Sequence, residues 1–102
     1  MEIRVFWTES ARSDLKEIFG FYKEVAGVNI ARKLVLRIIE RTIQLENNPL
    51  SGPQEPLLTK RENHYRYLIE GNYKIIYWIE NNYAKIATVF DCRQDTSKLQ
   101  KI

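Results

Sequence analysis

The residues able to do chemistry are few, and most are cationic or aromatic. Arg66, Lys74, Lys85 and Arg93 lie in or beside a run that also holds Tyr65, Tyr67, Tyr77 and Trp78. Bases interleaved with rings can neutralise phosphates and stack on nucleobases. The same set can dock an acidic or amphipathic peptide. Other chemistries find little material. One histidine, His64, and one cysteine, Cys92, cannot form a zinc site alone. No Gly-rich phosphate loop is present. A Ser-His-Asp arrangement would have to use His64, which reads as a surface residue at the start of a strand. Cys92 reads as a small buried residue at a strand end rather than as a nucleophile. No metal and no cofactor are expected.

The element that must position these side chains is the stretch from Tyr65 to Asp91. Tyr65–Glu70, Tyr73–Glu80 and Tyr83–Phe90 are rich in aromatic and β-branched residues, and Gly71-Asn72 and Asn81-Asn82 break them. This pattern predicts three antiparallel strands joined by two-residue turns, at residues that tolerate positive φ. Two-residue loops set Glu70 opposite Tyr73, Leu68 opposite Ile75 and Glu80 opposite Tyr83. Side chains alternate between faces, which gives an apolar face of Leu68, Ile75, Tyr77, Ile79, Ala84, Ile86, Thr88 and Phe90. The other face then carries Tyr65, Tyr67, Ile69, Lys74, Ile76, Trp78, Lys85, Ala87, Val89, Asp91 and Arg93. The first face is expected to lie under helices and the second to stay open. On this second face Lys74, Lys85, Tyr65 and Trp78 are the candidate target- or RNA-binding residues, with Arg93 just beyond the last strand. Arg66 falls on the helix side, opposite Tyr77. A guanidinium there needs a carboxylate or carbonyl partner, as at a sheet margin.

Upstream, Glu2–Trp7 alternates with Phe6 out of pattern and reads as a first strand. Thr8 stands at a helix N-cap position with Glu9 in the first turn. Ala11, Leu15, Ile18, Tyr22 and Val25 make one helical stripe, widened by Phe19 and stopped at Gly27. Ala31, Leu34, Val35, Ile38, Thr42 and Leu45 form the buried line of a second helix over Val28–Glu46, ended by Asn47-Asn48-Pro49. Pro49–Asn63 is the one long irregular stretch, either a functional loop or a solvated linker. Near the tail, Asp95 or Thr96 can cap a short helical turn. The order strand, helix, helix, strand, strand, strand defines an α+β fold: a helical hairpin on one face of a mostly antiparallel sheet.

The chain has 102 residues, 44% of them hydrophobic and 28% charged, with a formal charge of +3. That length suits one domain, residues 1–102, with one core. The mild basic excess is compatible with nucleic acid or an acidic protein and diagnostic of neither. A lone cysteine, no signal-like start and no apolar run long enough to span a bilayer point to a cytoplasmic protein.

Taken together, several short pieces resemble the RelE/ParE superfamily of bacterial toxins from toxin–antitoxin pairs. They are Trp7-Thr8 with Ala11 and Leu15, Leu45 and Pro49 with Gly52, Tyr65-Arg66 with Leu68, Gly71-Asn72-Tyr73-Lys74-Ile75 with Tyr77, and the Val89–Gln94 end strand. The resemblance covers nearly the whole chain and implies the same β-α-α-β-β-β fold. It also implies a cytoplasmic partner, the cognate antitoxin, and one of two targets. RelE-like members are ribosome-dependent endoribonucleases acting on messenger RNA. ParE-like members poison DNA gyrase, as toxins of plasmid-stabilisation modules. By position, Lys74 stands where a RelE catalytic arginine lies, and Arg93 near the second; both would be catalytic only in the RelE-like case. The tail aromatic of the nucleases has no counterpart, since Ser97, Lys98 and Leu99 stand there. Hydroxyl attack on phosphate needs a general base and a general acid as well as charge stabilisation, and no such pair remains. The resemblance therefore favours the ParE branch. The RelE branch, or an inactive binding domain on the same scaffold, is the alternative.

Overall fold

The computed structural model describes residues 2–93 and 97–102. The elements are β1 (Arg4–Trp7), α1 (Glu9–Ala26), α2 (Val28–Ile43), β2 (Arg66–Glu70), β3 (Tyr73–Glu80) and β4 (Tyr83–Asp91). Short 3-10 turns occupy Gln44–Glu46, Pro56–Leu58 and Ser97–Lys101. The sheet order is β1-β4-β3-β2, with β1 parallel to β4 and the other pairs antiparallel. The α+β architecture expected from the sequence is the one observed.

Local chemistry sets the element ends. The Thr8 hydroxyl accepts the Ala11 N–H at 3.2 Å and donates to the Ile86 carbonyl at 2.7 Å. One side chain thus caps α1 and fixes its start to β4. Gly27, at φ 96°, separates the two helices, a backbone angle that disfavours side chains. Asn81 and Asn82 both have positive φ, as a type I′ turn requires. At the other turn only Gly71 does.

Ala11, Ile38, Leu45, Leu68, Ile75, Tyr77, Ala84, Ile86 and Val89 form the core beneath the helices, with Leu15, Ile18, Tyr22 and Leu34 packed against it. Val25, expected in the buried stripe of α1, is instead exposed. It lies with exposed Phe21, Val28 and Ile30 around the interhelical turn, where the hairpin tip is uncovered.

The register expected for β2–β3 and for the start of β4 holds: Glu70 pairs with Tyr73, Leu68 with Ile75 and Glu80 with Tyr83. It then shifts. Tyr77 pairs with Ile86 but Ile76 pairs with Thr88, leaving Ala87 as an extra residue. Such a bulge reverses the facing of everything after it. Val89 and Asp91 therefore turn toward the helices, opposite Ile75 and Tyr73, while Thr88 and Phe90 turn away. This corrects the expected face lists at four positions.

The second face is not open throughout. Ile76 and Phe90 are buried under Leu58 and Leu99, with Tyr65, Tyr67, Ala87 and Ile102 around them. The cover comes from the Pro49–Asn63 stretch and from the turn at Ser97–Lys101. The first of these also runs along the outer edge of β2: Tyr67 N–H donates to the Pro53 carbonyl at 3.0 Å and Glu55 N–H to the Tyr65 carbonyl at 2.9 Å. Its entry is pinned by the buried Tyr77 hydroxyl, which donates to the Pro49 carbonyl at 2.8 Å and accepts from Gly52 N–H at 3.0 Å. A Cβ on Gly52 would sit 2.3 Å from the Tyr67 carbonyl oxygen, so only glycine fits. The short helical turn expected near the tail is present at Ser97–Lys101; its proposed caps, Asp95 and Thr96, lie outside the described residues.

Candidate functional site

The second face divides into a covered half and a bare half, and the candidate residues fall on both. Lys74, in the middle of the sheet, belongs to the covered half. Its Nζ lies 2.7 Å from Glu55 Oε2 and 4.2 Å from the centre of the Tyr67 ring. The Glu55 side chain is only 1% exposed. Its other oxygen caps the Pro56–Leu58 turn by accepting the Leu57 N–H at 3.2 Å. The Lys74 contact is off the hydrogen-bonding axis, so the attraction is chiefly Coulombic. Lys74 thus fastens the irregular segment to the sheet.

The bare half holds Lys85 and Trp78, with Tyr65 at its border with the covered half. Trp78 Nε1–H donates to Glu80 Oε1 at 2.8 Å, and Lys85 Nζ lies 3.6 Å from the same oxygen and 5.8 Å from the indole. The Trp78 hydrogen bond and then the Lys85 charge hold the Glu80 carboxyl below its usual range. Tyr65 meets Trp78 edge to face at 5.5 Å. Alongside, Phe6 of β1 meets Tyr83 edge to face at 6.1 Å. Phe6 and Tyr83 were not among the residues singled out by sequence, although Phe6 broke the alternation of β1. A register of Arg4 with Tyr83 and Phe6 with Lys85 sets Arg4 on the same face.

A cleft of about 420 Å³ opens where β1 ends and β4 runs on as the edge of the sheet. Asp14 of α1 reaches into this gap. Its carboxylate accepts the Val89 N–H at 2.9 Å and the Thr88 hydroxyl at 2.6 Å, and it pairs with Lys98 Nζ at 2.5 Å. Lys98 also lies 3.5 Å from Glu17. These groups stitch helix, strand and tail together. Neither Asp14 nor Glu55 carried a sequence signal beyond being a carboxylate.

The remaining candidates sit elsewhere. Arg66 lies at the sheet margin, where it donates to the Gly52 carbonyl at 2.7 Å and the Leu50 carbonyl at 3.3 Å. Arg93 pairs with Asp91 at 2.9 Å. That hydrogen bond depresses the Asp91 pKa, and Asp91 itself faces Tyr73 on the helix side. The bulge at Ala87 therefore carries Arg93 away from the face on which it was expected. Cys92 is exposed rather than buried. Among the described residues, no group of three or more His, Cys, Asp or Glu is placed to hold a metal ion, and no helix is long and apolar enough to cross a membrane.

The sequence profile of the ParE toxin of type II toxin–antitoxin systems matches residues 5–96. The chain belongs to the ParE toxin family. No curated protein sequence matches it. Solved structures that share the fold include the following three. The chromosomal ParDE toxin–antitoxin system from P. aeruginosa has a TM-score of 0.74 and 22% identity, over 87% of this chain and 95% of that one. The toxin–antitoxin complex RelBE2 from Mycobacterium tuberculosis has 0.63 and 20%, over 89% and 99%. The YoeB dimer from Staphylococcus aureus has 0.54 and 20%, over 86% and 94%. In this ParE-family chain, the two cations that RelE-like chemistry would join are not brought together. Lys74 is anchored to Glu55 on one face of the sheet, and Arg93 is anchored to Asp91 on the other.

Proposed function

We propose that this ParE-family protein is a cytoplasmic growth-arresting toxin that acts by binding a protein target, DNA gyrase, and is neutralised by a cognate antitoxin. The observation that carries this reading is the engagement of Lys74 by Glu55. The cation best placed by position to stabilise a phosphate transition state is already committed to holding the fold. Lys85 and Arg93 have carboxylate partners too, and Arg66 has carbonyls. An antitoxin partner is supported by a groove of about 330 Å³ between α2 and the β2–β3 turn. Tyr22, Leu34 and Tyr73 line it with apolar surface, and Lys33 and Arg37 stand one helical turn apart beside them. That combination suits an acidic amphipathic segment that folds on binding.

Two assays on the wild-type protein separate the readings. In a supercoiling reaction with purified gyrase, the expected outcome is inhibition relieved by the antitoxin. Primer extension on messenger RNA after induced expression is expected to show no new ends. New ends at ribosomal A-sites, with gyrase unaffected, would overturn the proposal in favour of the RelE-like nuclease using Lys74 and Arg93.

A further inference from the structure

The bare half of the second face has a composition and charge that specify a partner. Phe6 and Tyr83 are 47% and 41% exposed, though they are large rings on a strand pair that must otherwise stay soluble. They line, with Asn81 and Lys85, a cleft of about 260 Å³. That is below the roughly 300–1,000 Å³ of small-molecule pockets, and closer to the size of one inserted side chain. The rings are held edge to face in two pairs, Phe6 with Tyr83 and Tyr65 with Trp78. Packed rings lose little further freedom when a partner covers them, which favours association. Large aromatics and arginine are also the residues that dominate protein interfaces.

Charge decides the class of partner. Glu80 accepts from Trp78 and pairs with Lys85, so the Glu80 and Lys85 charges largely cancel. Arg4 is exposed. Glu2, also exposed, alternates onto the same side two positions earlier, so the surface carries little net charge, and Arg4 is its one cation without an ion pair among the described residues. A single-stranded nucleic acid would present a phosphate at each step, and binding it draws on several cations. A protein segment needs one carboxylate beside an apolar anchor.

We infer that Arg4, Phe6, Tyr83, Lys85 and Trp78 form the seat for the toxin's protein target, taking a bulky apolar side chain between Phe6 and Tyr83 and a carboxylate on Arg4. The inference rests on the protein-target reading above and names the surface that reading left open. This seat lies on the sheet face opposite the helices, so antitoxin in the α2 groove does not use the same residues.

Arg4→Glu and Phe6→Ser test it, each expressed by induction in cells and purified with the wild type. Both are expected to keep the wild-type circular dichroism and thermal unfolding midpoint and to bind antitoxin normally. Both are expected to weaken gyrase inhibition by roughly tenfold or more, the effect of losing an interface anchor, and to relieve growth arrest. Folded variants that still arrest growth like the wild type overturn the inference. Should Phe6→Ser fail to fold, Arg4→Glu remains decisive, because that side chain is exposed. Relief of arrest by these variants, with wild-type gyrase inhibition absent, would sink the gyrase target but keep the seat. Relief accompanied by loss of a wild-type messenger-cleaving activity would assign the seat to RNA and overturn the protein partner.

Discussion

The two faces of the sheet are covered by different means. Beneath α1 and α2, the cover is apolar and periodic: Ile38, Leu45 and Ala11 are wholly buried against Ile75, Tyr77 and Ile86. On the opposite face the cover is irregular chain, and polar contacts hold it. Tyr77 grips Pro49 and Gly52, Lys74 grips Glu55, and Lys98 grips Asp14. A few apolar residues, Leu58 and Leu99 among them, complete the seal. Hydrophobic burial is non-directional and tolerates adjustment, whereas a buried ion pair depends on both partners staying in place. The first face should therefore set global stability, and the second should respond to single charges.

The largest expected effect is on the helix side. Ile38→Ala removes three carbons from a fully buried site, which costs about 2–5 kcal/mol. Urea unfolding followed by circular dichroism should show the midpoint fall with the transition still cooperative. A loss well under ~1 kcal/mol would mean that the helix-side core is looser than its burial implies. On the opposite face, Lys74→Met should cost about 2–4 kcal/mol, because it strands the Glu55 carboxylate in a buried site. The signature of an ion pair is recovery by the second change. Glu55→Gln combined with Lys74→Met should be distinctly more stable than Lys74→Met alone, read by the same unfolding curves. If the double variant is no better, Lys74 contributes by packing on Tyr67 and not through its charge.

That contrast also explains what was legible from residues alone. The helix-backed face followed from periodicity: the stripe through Ala11, Leu15, Ile18 and Tyr22, the line from Ala31 to Leu45, and the turns at Gly71-Asn72 and Asn81-Asn82. Thr8 as a cap and the β2–β3 register followed from local chemistry. The bulge at Ala87 did not, because alanine does nothing locally to announce an extra residue. One residue inserted there reversed Thr88, Val89, Phe90 and Asp91 and carried Arg93 with them. The cover over Ile76 and Phe90 was equally hidden. It depends on Glu55 and Lys74 meeting across 19 residues of sequence, which no period encodes. Gly52 shows the intermediate case. Its place among the resembling pieces was visible, but its reason, a carbonyl of Tyr67 where a Cβ would be, is purely tertiary. Trp78 and Lys85 were correctly placed on the face away from the helices, while their neighbours Phe6 and Tyr83 needed the β1–β4 pairing to appear beside them.

The smallest expected effect concerns the tail, and alkaline pH reports on it. Burial alone would lower the Lys98 pKa, but Asp14 and Glu17 outweigh it and hold the group above its ordinary value. A raised folded-state pKa means that the native state binds the proton more tightly than the unfolded chain does. The contribution is therefore complete below the unfolded value, about 10.4, and is lost as pH rises through the folded one. Burial also pushes up the pKa values of Tyr73 and Tyr77, so the same alkaline range lowers global stability, and the local step at the tail is read while the protein is still folded. Asp14 keeps its bonds to Thr88 and Val89 after Lys98 is discharged, so β4 should hold while the turn at Ser97–Lys101 loosens. Methyl NMR signals of Leu99 should move with alkaline pH while those of Ile38 stay fixed. In Lys98→Met the Leu99 signals should already be displaced at neutral pH and lose their alkaline step. A step that persists in that variant would place the switch on another group and break the link between Lys98 and the cover of the second face.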